Sequence, residues 1–275
     1  IICNSINRLF AKEKYREIKE MTSIMSYDQN EEITGWYSEN CNARVIWGGD
    51  YAIRTLKKLN TSESCVDVIF SDRYSFCAID SQSIINLDDT KLVRLSENFF
   101  NDTYLMDQNA CSSPHLIIWS GNKNKQAKER FWRALEHTVD IKYQMSDISA
   151  IEKYTILCQN SIEQKNIRYF KKYGNSVFCL GIDELNENID NYRGKFGLFY
   201  EYDTDDINNI KHIVNSKYQT LSYFGLVKSE LLDFVLKNRL SGIDRIVPIG
   251  QALDIGVIWD GYDIIRNLSR IVEVK

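Results

Sequence analysis

One cysteine stands apart by its neighbours. The run Asp107-Gln108-Asn109-Ala110-Cys111-Ser112-Ser113-Pro114-His115 follows a helical pattern and leads into a strand-like apolar run, Leu116-Ile117-Ile118-Trp119. Buried cysteines usually sit in apolar strings, where they act as small hydrophobes. Cys111 lies instead among small and polar residues, where a substrate can approach the thiol. A thiolate attacks carbonyl carbon readily, and the backbone N–H groups of such a turn can face the oxyanion that develops. The chemistry to expect is covalent catalysis with Cys111 as nucleophile and Asn109 on the oxyanion side. Its thiol would need a lowered pKa, from a helix N-terminus or a nearby cation.

A second constellation lies upstream. Ala43-Arg44-Val45-Ile46-Trp47 reads as a buried strand, Gly48-Gly49-Asp50 as a turn, and residues 51–59 as a helix with Ile53 and Leu56 inward. Strand, Gly-Gly, helix is the geometry of a dinucleotide-binding crossover, although the G-x-G-x-x-G spacing is missing and a plain β–α turn has the same pattern. His115, His137 and His212 are the only histidines, and no C-x-x-C pair occurs, so no zinc site is expected. A cysteine hydrolase or acyltransferase would need one of those histidines beside Cys111. His115, four residues on, is badly placed for that.

Composition narrows the class. With 44% hydrophobic and 26% charged residues, the 275-residue chain is ordinary for a globular protein. A net charge of −4 leaves no basic footprint for nucleic acid. No apolar run approaches the length of a membrane span, and no signal peptide is expected. Seven cysteines, an odd number without paired spacing, argue against a disulfide framework and for a cytoplasmic protein. The opening Ile1-Ile2-Cys3, without methionine, suggests a fragment of a longer chain.

The elements that would position these groups follow from periodicity. Ser5 is expected to cap a first helix carrying Ile6, Leu9, Phe10 and Ile18, and residues 31–39 form a second. Residues 43–47, 66–70 and 74–80 read as three strands of one mostly parallel sheet. A polar helix covers 88–98. Residues 123–139 form an amphipathic helix with Phe131, Trp132, Leu135 and Val139 inward and Lys125, Lys128, Glu129 and Arg130 in solvent. Helix 146–160 turns Ile148, Ile151, Tyr154 and Leu157 inward. Strands are expected at 176–180, 195–202 and 220–227, and helices at 205–214, capped by Asp203 or Thr204, and at 229–239, capped by Ser229.

Four segments together resemble the acyl-CoA reductases of bacterial bioluminescence operons (LuxC type), members of the aldehyde dehydrogenase superfamily. They are Asn109-Ala110-Cys111-Ser112-Ser113-Pro114, Val45-Ile46-Trp47-Gly48-Gly49-Asp50-Tyr51-Ala52-Ile53-Arg54, the run Tyr74-Ser75-Phe76-Cys77-Ala78-Ile79-Asp80, and the tail from Gly242 to Asp263. The resemblance implies an α/β, aldehyde-dehydrogenase-like fold: a partial, mostly parallel Rossmann-like sheet plus an α/β catalytic domain. It implies residues 1–106 as the later part of the nucleotide-binding domain, 107–240 as the thiol domain, and 241–275 as a segment returning to the active-site cleft. It places Trp47, Gly48, Gly49 and Asp50 beside the cofactor, NADPH with NADH as the alternative. Asp50 would meet a phosphate through its backbone rather than its side chain. Acyl-CoA or an acyl-carrier thioester would be the substrate, and an acyl-protein synthetase and further copies of the chain the partners to look for. The glutamate that activates water in hydrolytic relatives falls level with Cys77, and none occurs in residues 74–80. Its loss suits reduction, where water must be kept from the acyl-enzyme. The family's second oxyanion donor and most adenosine-binding strands would precede Ile1, so residues 1–275 alone are expected to bind cofactor poorly. A non-catalytic docking domain of the same fold is the alternative.

Overall fold

The structure, a computed structural model, describes residues 1–122 and 124–275. The chain opens with α1 (Ile2–Phe10), α2 (Arg16–Glu20) and α3 (Glu31–Asn40), followed by β1 (Ala43–Trp47), α4 (Asp50–Leu56) and β2 (Val66–Phe70). Ser5 caps nothing. Ile2, Ile6 and Leu9 already recur at helical spacing, so α1 begins at Ile2, and Ile18 falls on the separate α2. Asn30 caps α3 instead, accepting from the Ile33 N–H at 2.9 Å. Residues 1–44 and 54–67 form one compact unit, held in part by a two-pronged pair between Arg44 and Asp67 with both contacts at 2.7 Å. Residues 45–53 and 68–275 form the other.

The second unit is built on a seven-stranded sheet. Its strands are β3 (Tyr74–Asp80), β4 (Pro114–Ser120), β5 (Ile167–Tyr173), β6 (Val177–Ile182), β7 (Leu198–Thr204), β8 (Tyr218–Phe224) and β9 (Arg245–Pro248), in the order β5-β6-β7-β4-β3-β8-β9. Every pairing is parallel except β5–β6. β3 and β4 are buried along nearly their whole length, which is why their sequences read as unbroken apolar runs. Alternate residues feed opposite cores. Phe76, Ala78, Leu116, Ile118 and Tyr200 face one side, with Leu231 and Phe234 of α9 (Lys228–Lys237). Cys77, Ile79, Ile117, Trp119 and Phe199 face the other. There they meet Phe99 of α6 (Asp89–Thr103) and Phe131, Trp132 and Leu135 of α7 (Asn124–Lys142). Strands β1 and β2 are absent from this sheet and pair with each other, contrary to the single sheet expected. Their ladder partners are not encoded in the apolar pattern, and both are only half-buried.

Other expectations shift. Lys123 lies outside the described residues. Lys128 and Arg130 of α7 are not solvated: Lys128 pairs with Asp203 at 2.6 Å, and Arg130 donates to the carbonyls of Ile84, Ile85 and Leu87. Ile84 and Ile85 belong to α5 (Ser81–Asn86), a helix the pattern did not reveal, and Leu87 caps its end. On α8 (Asp147–Glu163) the expected face holds only in part. Leu157 is buried as expected, but Ile148, Ile151 and Tyr154 are exposed and Lys153 is buried in their stead. The Lys153 ammonium lies 4.3 Å from the centre of the Phe178 ring and donates to the carbonyls of Asn175 and Phe196, so the buried charge still finds acceptors. Burial draws its pKa down to about 7. β7 starts at Leu198 rather than Lys195, because Phe196 and Gly197 turn in the left-handed region. The 3₁₀ segment Ile207–Ile213 is capped by Asp206, and α9 begins a residue ahead of Ser229. After β9 the chain forms the two-residue strands β10 (Ile258–Trp259) and β11 (Tyr262–Asp263) and ends in α10 (Ile264–Asn267). Among the described residues no helix is long and apolar enough to cross a membrane.

Candidate active site

Cys111 sits on the loop between α6 and β4, at the end of the sheet where the parallel strands begin. The loop is shaped by its own sequence. α6 runs out into the 3₁₀ turn Tyr104–Met106, and Asp107 and Gln108 follow with φ of 53° and 60°, a region few non-glycine residues enter. Gln108 makes this turn stable. Its side chain is buried; Nε2 donates to the carbonyls of Pro114 and Leu198 at 3.1 and 3.0 Å, and Oε1 accepts from the Gly197 N–H at 3.0 Å. One amide thus joins the loop to the starts of β4 and β7. Ser113 donates to the Asp102 carbonyl at 2.7 Å, and Ser75 of β3 donates to the Cys111 carbonyl at 2.7 Å.

The sulfur is half-buried and faces a cavity of about 800 Å³. Trp47, Gly48, Gly49 and Asp50 line it together with Asn109 and Cys111, so the candidates for thiol chemistry and for the cofactor border one space. Met106, Leu253, Ile255 and Trp259 give it apolar walls, and Arg193, paired with Asp72 at 2.6 Å, brings a cation. Asn109 turns its amide back onto the Asp107 carbonyl at 3.1 Å. Gly49 has room around it: a Cβ there would meet nothing within 4 Å, and φ does not require glycine. Neither strain nor a neighbour therefore explains this glycine, while the open cavity beside it leaves the backbone free for a ligand to approach.

The thiol departs from expectation in one respect. Its pKa is raised, not lowered: burial disfavours the thiolate first, the Asp260 charge adds to that, and a hydrogen bond from Gln219 opposes both. No helix starts at Cys111 to offset the cost. Gln219 Nε2 stands 3.3 Å from Sγ and also donates to the Asp260 carboxylate. Neither residue was singled out from sequence. Asp260 had one visible signal, the Asp-Gly pair of a tight hairpin, whereas Gln219 looks like any polar residue at a strand start. Asp102, on the last turn of α6, accepts from the Gly250 and Ala252 N–H groups at 2.6 and 2.9 Å and so fastens the tail that carries Leu253 and Ile255 to the cavity. Burial pushes Asp102 up to about 6 despite these two donors.

The histidines stand elsewhere. His115 is buried, stacked on Tyr74, and drawn down to about 3 by burial and then by Arg193. His137 is exposed on α7. The His212 ring bonds the Leu185 carbonyl at 2.8 Å. Cys77 is fully buried in the sheet, where desolvation raises its pKa strongly. Among the described residues no cluster could hold a metal ion.

This fold is that of the aldehyde dehydrogenases. An NAD-dependent benzaldehyde dehydrogenase from Corynebacterium glutamicum superposes with a TM-score of 0.50 at 12% identity, covering 80% of this chain and 49% of that one. Proline utilization A from Bradyrhizobium japonicum gives 0.55 at 8% identity, with 83% and 24% covered. Aldehyde dehydrogenase 21 from Physcomitrella patens gives 0.52 at 14%, with 79% and 47% covered. The family model for acyl-CoA reductase (LuxC) matches residues 2–274, and the chain belongs to that family. It spans about half the length of the dehydrogenases it resembles, or less. No curated protein matches the chain.

Proposed function

We propose that this chain carries the thiol centre of an acyl-CoA reductase, which turns an acyl thioester into an aldehyde through an acyl group held on Cys111. The observation that carries the reading is the cavity shared by Cys111 and the Gly48–Gly49 bend. Family membership supports it, and so does the open space at Gly49. Cys111 attacks the thioester carbonyl. The carbon–sulfur bond to the donor breaks, and the donor thiol leaves with the proton that Cys111 gave up. A nicotinamide cofactor, NADPH with NADH as the alternative, would supply hydride to the acyl carbon. Trp47, Gly48, Gly49 and Asp50 would hold its nicotinamide end, and the benzaldehyde dehydrogenase of the same fold is NAD-dependent by name. The apolar walls suit the hydrocarbon of an acyl-CoA or acyl-carrier thioester. An acyl-protein synthetase delivering that group, further copies of the chain, and a cytoplasmic setting complete the proposal.

The test is a mass spectrum of the protein after exposure to a series of acyl-CoAs. A single acyl adduct on the Cys111 peptide is expected, absent from Cys111→Ala. NADPH added to a form of the protein that binds it should discharge the adduct as aldehyde. Acylation elsewhere, or none with any chain length, would end the proposal. Discharge to free acid without NADPH would point to a hydrolase.

A further inference from the structure

Gln219 is the second residue of β8 and is wholly buried. A primary amide in that position costs free energy unless its hydrogens and oxygen find partners. Here they do. Nε2 donates to Cys111 Sγ at 3.3 Å and to a carboxylate oxygen of Asp260, and Oε1 accepts from Thr220 Oγ1 at 3.2 Å. Asp260 is itself held in place. It and Gly261 form the two-residue loop between β10 and β11, with φ of 49° and 78°, the left-handed pair that such hairpins require. Trp259, just before the turn, lies under the Arg245 guanidinium at 4.2 Å, which fixes the hairpin over β9. A carboxylate therefore orients an amide, and the amide points at the reactive sulfur.

We propose that Gln219 is a catalytic residue of this site and Asp260 its positioning residue: the oriented amide stabilises Cys111 as thiolate when the sulfur attacks the thioester. The proposal rests on the acyl-transfer reading given above. In that step the sulfur–carbon bond forms, the donor's carbon–sulfur bond breaks, and the departing thiolate takes up the proton released from Cys111. Burial and Asp260 both disfavour charge on the sulfur, so a fixed donor matters most here. The charged groups around the sulfur are Asp260 on the hairpin and Arg245 on β9, with Arg73 and Asp244 behind Asp260, and Asp50, Asp72 and Arg193 on the walls of the cavity it faces. No imidazole is among them.

The test reads the thiol itself and needs neither acyl donor nor cofactor. The rate of Cys111 carbamidomethylation by iodoacetamide, followed on the Cys111 peptide, is measured from pH 7 to 11. Gln219→Leu should move the midpoint up by about one pH unit, the loss of one hydrogen bond to a charged sulfur, and slow the reaction at pH 8 by about three- to tenfold. The rate at high pH should rise by no more than about threefold, because the more basic thiolate is the better nucleophile. Gln219→Glu should shift the midpoint further, and Asp260→Asn should alter it while leaving the tryptophan fluorescence native. Should Gln219→Leu not fold, Gln219→Met keeps the volume and gives the same expectation. An unmoved midpoint in folded Gln219 variants overturns the proposal, whatever the acyl-adduct experiment finds. A shifted midpoint without any acyl adduct would keep the amide's role in thiolate formation and sink the reductase reading instead.

Discussion

Gln108→Glu isolates what holds the Cys111 loop in shape. The wild-type amide serves three backbone groups: it donates to Pro114 and Leu198 carbonyls and accepts from the Gly197 N–H. A protonated carboxyl keeps the Gly197 contact and one of the two donations, so it loses about one buried hydrogen bond, or about 1–2 kcal/mol. An ionised carboxylate keeps only the Gly197 contact. Its other oxygen, in the place of Nε2, turns an acceptor toward two carbonyl oxygens in a buried site, at a cost of about 4 kcal/mol or more. The difference of about 3 kcal/mol places the folded-state pKa of the new carboxyl about two units above its unfolded value near 4.3. The sign follows. A pKa raised by folding means the native state binds more protons, so stability is retained below the unfolded pKa and lost as pH rises through the folded one. Urea unfolding followed by tryptophan fluorescence, with Trp119 and Trp132 buried in the second unit, should therefore show a deficit against wild type of about 1–2 kcal/mol at pH 4.5, growing to about 4 kcal/mol at pH 8. Equal deficits at both pH values would refute the bonding scheme assigned to Gln108.

Three further outcomes follow from the same structure. Asp102, pushed up to about 6 by burial, should make the wild-type protein lose about 3 kcal/mol of stability as pH rises from 4 to 7. Asp102→Asn should flatten that part of the stability–pH curve, and an unchanged slope would show that Asp102 is not its source. Gly197→Ala should lower stability by at least about 2 kcal/mol, since φ is +88° and the new Cβ would strike the Ser176 carbonyl and the Tyr104 hydroxyl, whereas Gly49→Ala, with open space around it, should leave the melting temperature within about 2 °C of wild type. Leu135→Ala, a full truncation in the core between sheet and α7, should cost about 3 kcal/mol by urea denaturation, and a value under about 1 kcal/mol would mean the helix does not pack there.

Much of the frame was legible because parallel strands covered on both faces leave an unmistakable trace. Tyr74–Asp80 and Pro114–Ser120 are apolar where the sheet is deepest, and the expected strands fall on them almost residue for residue. β5 left no such trace: Ile-Arg-Tyr-Phe-Lys-Lys-Tyr is charged because it is the antiparallel edge, where charge guards against further pairing. α8 was misread at all but Leu157 because periodicity counts methyl groups and cannot see acceptors. The carbonyls of Asn175 and Phe196 make the interior a good place for Lys153, and nothing in the helix's own sequence announces them. The site divides in the same way. Cys111 and Gly48–Gly49 carry local signals, an exposed-looking thiol and a strand-to-helix glycine bend. Gln219 and Asp260 act through contacts made by residues 41 positions apart in sequence, and the raised pKa of Cys111 comes from burial that only the assembled fold creates.

That raised pKa bears on how an acylated Cys111 would survive in water. Hydrolysis of a thioester needs a base aimed at a water molecule beside the carbonyl. Among the described residues that line the cavity there is neither histidine nor glutamate, and of the two aspartates Asp72 is already paired with Arg193. The resemblance sets Cys77 where hydrolytic relatives keep their base, yet Cys77 is fully buried on the face of β3 that meets α6 and α7. A carboxylate there would lie in hydrocarbon and not in the cavity. The Cys111 cavity thus offers a donor to the sulfur and apolar walls to the acyl chain, while a water molecule entering it would find little help in losing its proton. On this argument the acyl group should outlast the donor's departure by long enough for mass spectrometry to record it; an adduct discharged as free acid as fast as it forms would mean that Asp50, or a residue outside this chain, supplies the missing base.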